Sequence, residues 1–163
     1  MKDKYKHLLN FTANIISLAV EAAMFGWVWY MLYIPMLDKA NTFFNRGNWA
    51  VIGMYVLFVF FFTKIFGGYR IGYMRISDII LSQILAVILA MIVAYFEICL
   101  VANDYLPPQP LLLMTVTEII FIVPWVVLVR KAYTRLYPPR QMLVIYGNYS
   151  PDDLIAKINT RKD

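Results

Sequence analysis

Residues 79–102 read IILSQILAVILAMIVAYFEICLVA, and Glu97 is the single charge among them. At roughly 1.5 Å of rise per residue a helix of this length crosses about 30 Å of hydrocarbon. A soluble helix of the same length would show a polar face to water, and this one has almost none. The stretch therefore predicts a membrane span. Three further runs meet the same test. Leu8 to Met36 contains only Glu21 as a charge, Trp49 to Phe66 only Lys64, and Leu111 to Val129 only Glu118. Helix is the expected state of all four, because an isolated strand leaves its backbone groups unsatisfied in lipid and the runs lack barrel-type alternation.

Composition agrees. Hydrophobic residues make up 61% of the 163, against about 45–50% in soluble domains, and charged residues 15% against about 25%. Too little polar material exists to cover a water-facing globule. The net charge of +5 does not indicate nucleic acid, because the basic residues sit in short groups between apolar runs and form no basic soluble face. Cys99 is the only cysteine and His7 the only histidine, which excludes an intrachain disulfide and any thiolate or multi-histidine metal site. Lys2, Lys4 and Lys6 precede the first run as in a leader peptide. That run is too long for one, however, and ends in Trp27, Trp29, Tyr30 and Tyr33 where a cleavage site would carry small residues. It reads as a retained anchor.

Lysine and arginine set the orientation. The N-terminus, the loop between the second and third spans and the segment after the fourth together hold ten, and the other two loops hold two. Both termini are expected in the cytoplasm, in a multi-pass protein of the cell inner or plasma membrane. The loop FGGYRIGYMRISD, Phe66 to Asp78, mixes aromatic and basic side chains as a headgroup layer requires, and Arg70 and Arg75 are its candidate lipid-phosphate contacts. Its simplest role is to set topology.

Glu21, Glu97 and Glu118 carry the main polar chemistry within the spans. A charge at a span centre costs about 2.5–3.5 kcal/mol on insertion scales, so each carboxyl should face other helices or water. Asn10, Asn14 and Ser17 share a helical face with Glu21. Ser82, Ala86, Ala90 and Ala94 form a small-residue ladder on which Glu97 is expected to project centrally, a pattern that permits close helix approach. Glu118 has only Thr115 and Trp125 on its own side and is the least supported of the three. Glu97 and Glu118 both lie toward the outer ends of their spans and could approach each other across antiparallel third and fourth helices. The functional reading is a proton-coupled or cation site; the simpler one is interhelical hydrogen bonding. Pro124 is expected to kink the fourth span, and Pro107, Pro108 and Pro110 to stiffen the loop before it.

After Tyr137 the chain changes character. Met142 to Tyr146 is a short β-prone run closed by Gly147-Asn148, and Ser150, Pro151 and Asp153 are helix-start residues ahead of Leu154, Ile155 and Ile158. The expected fold is an all-α membrane bundle of four spans over residues 1–137. Residues 138–163 are then expected to be the first strand and helix of an incomplete Rossmann-like α/β domain. Those residues fall below the roughly 40 usually needed to fold unaided, so a longer parent protein is expected. The turn lacks the G-x-G-x-x-G spacing of a dinucleotide site, and no cofactor is expected in this chain.

FGGYRIGYMRISDIILSQILA (residues 66–86), PPRQMLVIYGN (138–148) and the terminal DLIAKINTRKD together resemble the polyprenyl-phosphate glycosyl-1-phosphate transferases of bacterial exopolysaccharide and O-antigen synthesis. The resemblance implies four membrane helices and a Rossmann-like cytoplasmic domain ahead of a catalytic domain. That enzyme would transfer a sugar-1-phosphate from a nucleotide sugar to undecaprenyl phosphate, with Mg²⁺ and an Asp-Glu pair in the catalytic domain. No residue here matches that domain, so no catalytic residue is carried over. Polyprenyl phosphate, further copies of the chain and other polysaccharide-assembly proteins are the implied partners. Membrane-anchored nucleotide-sugar dehydratases and epimerases share this layout, but YGNYSPDD departs from their glycine-rich turn. A small proton-coupled transporter built on Glu21 is the alternative from a different class.

Overall fold

The computed structural model describes residues 2–37, 45–69 and 74–136, and all regular structure within them is helical. Helix α1 spans Lys2–Val28, α2 Asn45–Ile65, α3 Ile76–Ala102 and α4 Gln109–Leu136. Each is long and apolar enough to cross a membrane. The strand and helix expected over 138–163 lie outside the described residues, as does Arg70.

The helices close into a ring in which α1 packs on α2 and α4, and α3 on α2 and α4. Long-range hydrogen bonds fix their directions. Asn10 of α1 donates to the Tyr69 carbonyl after α2, and Arg130 of α4 donates to the Met74 carbonyl before α3. At the opposite end the Tyr33 hydroxyl donates to the Pro107 carbonyl and the Trp29 indole to Asn48 Oδ1. Neighbours around the ring are therefore antiparallel. Their outer surface is apolar, with Leu57, Phe61, Leu81, Phe96 and Leu100 all exposed. A coat of this kind suits lipid, since soluble monomers rarely expose large contiguous apolar patches.

The helix ends depart from the hydropathy reading for local reasons. Helix α3 begins at Ile76, ahead of the expected Ile79, with extended Arg75 before it and Asp78 in its first turn. Hydropathy discounts Ser77 and Asp78, yet an acidic residue there favours the positive end of the helix dipole. Pro110 was expected in a loop but lies in the first turn of α4, where its missing N–H costs nothing. The helix continues through Pro124 to Leu136. The first span changes form before it ends, running through a π turn at Trp29–Tyr33 and a 3₁₀ turn at Ile34–Met36. Pro35 cannot donate to the carbonyl four residues back and its ring crowds that carbonyl, so an α ladder cannot pass it unchanged.

The α2 terminus is the most tightly specified turn. Gly67 takes a left-handed φ of 78°, its N–H donates to Lys64 O at 3.3 Å, and Gly68 N–H donates to Thr63 O at 2.9 Å. This pair of bonds is a Schellman cap. A Cβ at Gly67 would meet Met74 Sδ at 3.5 Å and Cε at 3.7 Å, ordinary contacts, so there is room and the restriction is conformational. Gly67→Ala is expected to destabilise the protein by about 1–2 kcal/mol, and Gly67→Asn by less. Thermal unfolding in detergent checks this; equal midpoints for Gly67→Ala and the parent chain would remove the argument.

Candidate functional site

Lipid gives helices no hydrophobic reason to associate, so packing and interhelical hydrogen bonds carry the bundle. Two apolar cores form along it. One gathers Phe25, Trp29, Tyr33, Val59, Ala94, Ile98 and Leu111. The other gathers Ala13, Ile79, Val87, Ile122, Val126 and Val129. In chain order on α1 and α4 a polar layer separates them, made by Ser17 and Glu21 on α1 and by Thr115 and Glu118 on α4.

Glu118 is the centre of that layer. It is 0% exposed, and the Tyr55 hydroxyl lies 2.8 Å from its Oε1 and 2.9 Å from its Oε2. Tyr55 is held in turn by Phe25, whose ring stacks on it with centroids 4.2 Å apart and planes 7° from parallel. Such a pair contributes about 0.5–1.5 kcal/mol beyond burial. Glu21, also buried, accepts a hydrogen bond from Ser17 Oγ at 3.1 Å and lies within electrostatic reach of Glu118 and Tyr55. Three helices thus converge: α1 through Phe25, α2 through Tyr55 and α4 through Glu118.

The layer continues along α1 to the α2–α3 turn. Asn10 and Asn14 donate to Tyr69 O at 2.9 and 3.4 Å. From α3, Ser82 Oγ shares its one proton between Phe66 O at 2.9 Å and its own helix's Asp78 O at 2.6 Å, and buried Gln83 donates to Gly68 O at 3.2 Å. Three of the four carbonyls of residues 66–69 are therefore capped by side chains from other helices. Asn10 Oδ1 and Gln83 Oε1, the oxygens of two of these amides, are buried and have no hydrogen-bond partner among the described residues.

The expected face of Asn10, Asn14, Ser17 and Glu21 is present. Two expectations about the other carboxyls fail. Glu97 does not meet Glu118: the Glu118 oxygens are engaged by Tyr55, and no group in the described residues hydrogen-bonds Glu97 Oε2. Nor is Glu97 central to its ladder. The buried stripe of α3 runs Ile79, Gln83, Ala86, Ala90, Ala94, Ile98, and Glu97 is half-buried beside it. Glu118, which has the fewest polar neighbours, is the most deeply buried. The reason is apolar periodicity, since Leu111, Thr115, Glu118, Ile122, Val126 and Val129 form one stripe of α4. Tyr55, Thr63 and Gln83 were missed as polar members. For the first two the available signal was their eight-residue spacing with Val59 between them, a single inward face of α2. Arg75 is exposed at the N-terminus of α3.

Hydroxyl-to-carboxyl and amide-to-carbonyl bonds of this kind can lock helices or relay a proton. They provide no nucleophile–base pair and no phosphate cradle. No known protein family, characterised protein or solved structure matches this chain.

Proposed function

We propose that this chain is the membrane-anchoring module of a sugar-phosphate transferase. It holds the enzyme at the cell inner membrane with both termini in the cytoplasm. The reaction it serves moves a sugar-1-phosphate from a nucleotide sugar to undecaprenyl phosphate in exopolysaccharide synthesis. Chemistry is assigned to a catalytic domain outside residues 1–163, where the resemblance expects Mg²⁺. On this reading residues 138–163 begin the Rossmann-like domain, and partners are further copies of the chain or other assembly proteins.

The resemblance of residues 66–86 and 138–148 motivates the reading, and one structural observation supports an anchoring role. The polar groups of the bundle are mostly consumed in bonds that join its own elements: Tyr55 to Glu118, Asn10 and Asn14 to Tyr69 O, Gln83 to Gly68 O. Groups used this way hold helices together. The test is to read the coding DNA beyond the Asp163 codon and assay membranes carrying the whole product. Label should pass from a nucleotide sugar into the lipid phase in a Mg²⁺-dependent manner. A natural stop with no transferase domain in a neighbouring frame, together with absent transfer, would reject the proposal.

The burial of two carboxyls, Glu21 and Glu118, within the bundle favours one second reading, a small proton-coupled transporter. Proton-driven uptake into proteoliposomes that Glu21→Gln abolishes would establish it. No uptake, or uptake indifferent to the substitution, would dispose of it.

A further inference from the structure

Three grooves border α1. One, of about 580 Å³, lies between α1 and α4 and includes Thr12 and Trp125; a second, of about 620 Å³, lies between the same helices and includes Trp27 and Leu113. Among the described residues neither is lined by a charged side chain. The third, of about 350 Å³, lies between α1 and α2 and contains Lys64. We propose that this third groove binds an anionic phospholipid, with its phosphate on Lys64 and one acyl chain along Phe11, Ile15, Leu18 and Phe60.

The groove has a polar end and an apolar end. Asn14 donates to the Tyr69 carbonyl, which places Asn14, Lys64 and Tyr69 together beside the α2–α3 turn. Leu18 lies one helical turn deeper along α1. Lys64 is exposed, and its Nζ stands over the Phe60 ring, 5.8 Å from the centroid. Its charge is thus held against the wall of the groove, beside Phe60 one helical turn in from Lys64. The rim is rigid, because Tyr69 packs against Phe60 with ring centroids 5.7 Å apart and is tied to α1 through its carbonyl. Burial, with Glu21 acting in the same sense, pushes the Tyr69 phenol up to about 12. It therefore stays neutral at physiological pH and does not offset the lysine.

An apolar trough headed, among the described residues, by the Lys64 cation complements an amphiphile of opposite charge. A zwitterionic headgroup brings a second cation toward the same ammonium and fits less well. Lysine near a membrane surface also snorkels and favours the C-terminal end of a helix without any bound lipid. Those effects need no groove, and the experiment separates them.

Purified chain is equilibrated with equal amounts of phosphatidylglycerol and phosphatidylcholine in detergent, and retained lipid is counted by native mass spectrometry. The parent chain should retain phosphatidylglycerol preferentially. Lys64→Gln should lower that retention about fivefold, the equivalent of about 1 kcal/mol for one basic residue at an anionic surface. Ile15→Trp, which fills the trough and leaves the lysine in place, should lower it as well. Lys64→Arg should preserve it, and Lys131→Gln, an exposed lysine of α4 at the same end of the bundle, should not change it. Equal retention of the two lipids by the parent chain would overturn the proposal. So would unchanged retention in Lys64→Gln or in Ile15→Trp, or an equal loss in Lys131→Gln, each of which describes bulk lipid only.

Discussion

Replacing Tyr55 by phenylalanine should destabilise the bundle by about 1–3 kcal/mol, although the change removes a single oxygen. Both carboxyl oxygens of Glu118 rest on that hydroxyl, at 2.8 and 2.9 Å, and Glu118 is wholly buried. The phenyl ring keeps its stack on Phe25, so the loss isolates the polar term from the packing term. What remains is a carboxyl in the bundle interior without its hydroxyl partner, and desolvation of an unsatisfied group costs more than a typical hydrogen bond contributes. The double variant Tyr55→Phe/Glu118→Leu removes both partners and should recover most of the stability. Denaturant titration of the chain in mixed micelles measures all three. A single variant as stable as the parent, or a double variant no better than the single, would contradict this account of the polar layer.

Gly68→Val should cost a similar amount, about 1–3 kcal/mol, through overpacking. A Cβ at position 68 would stand 2.9 Å from Thr63 Cγ2 and 3.0 Å from Gln83 Cγ, closer than side chains tolerate. The turn would have to lift away, and with it the Gly68 carbonyl that accepts from Gln83 and the Tyr69 carbonyl that accepts from Asn10. Gly68→Ala should cost less. Thr63→Ser deletes the nearest clashing methyl and should relieve part of the Gly68→Ala loss, while costing little by itself. If Thr63→Ser gives no relief, the tight contact is not what requires glycine at this position. The neighbouring Gly67 needs glycine for a different reason, its left-handed φ, and should therefore be indifferent to Thr63.

Much of the architecture was legible in the residues, and what was missed follows a pattern. Apolar length locates all four spans, because crossing hydrocarbon demands it whatever the tertiary structure. The helix ends were less legible. Ser77, Asp78 and Pro110 look like loop residues by hydropathy but are good first-turn residues, so α3 and α4 both start earlier than hydropathy indicates. Polar spacing identified the α1 face because four polar residues share it. Glu118 needed the opposite signal, the apolar stripe running through it. Tyr55 had only Thr63, two turns on, to draw attention to it, and Gln83 had no polar neighbour on its buried stripe.

Composition and charge placement by themselves made this a chain with four helices apt for lipid, carrying carboxyls too costly to leave facing it. These properties are local sums along the chain, and each residue contributes without reference to distant ones. Which carboxyl meets which partner is a different kind of fact. Glu118 lies opposite Tyr55, 63 positions away, and Asn10 opposite Tyr69, 59 positions away. Only the rotation of each helix about its axis, and the order of helices around the ring, brings those atoms within 3 Å. A helix turns 100° per residue, so a small difference in that rotation redirects a side chain to another neighbour or to lipid. The packed structure chose Tyr55 over Glu97 as the partner of Glu118, and it also formed the trough beside Lys64 from residues of two helices.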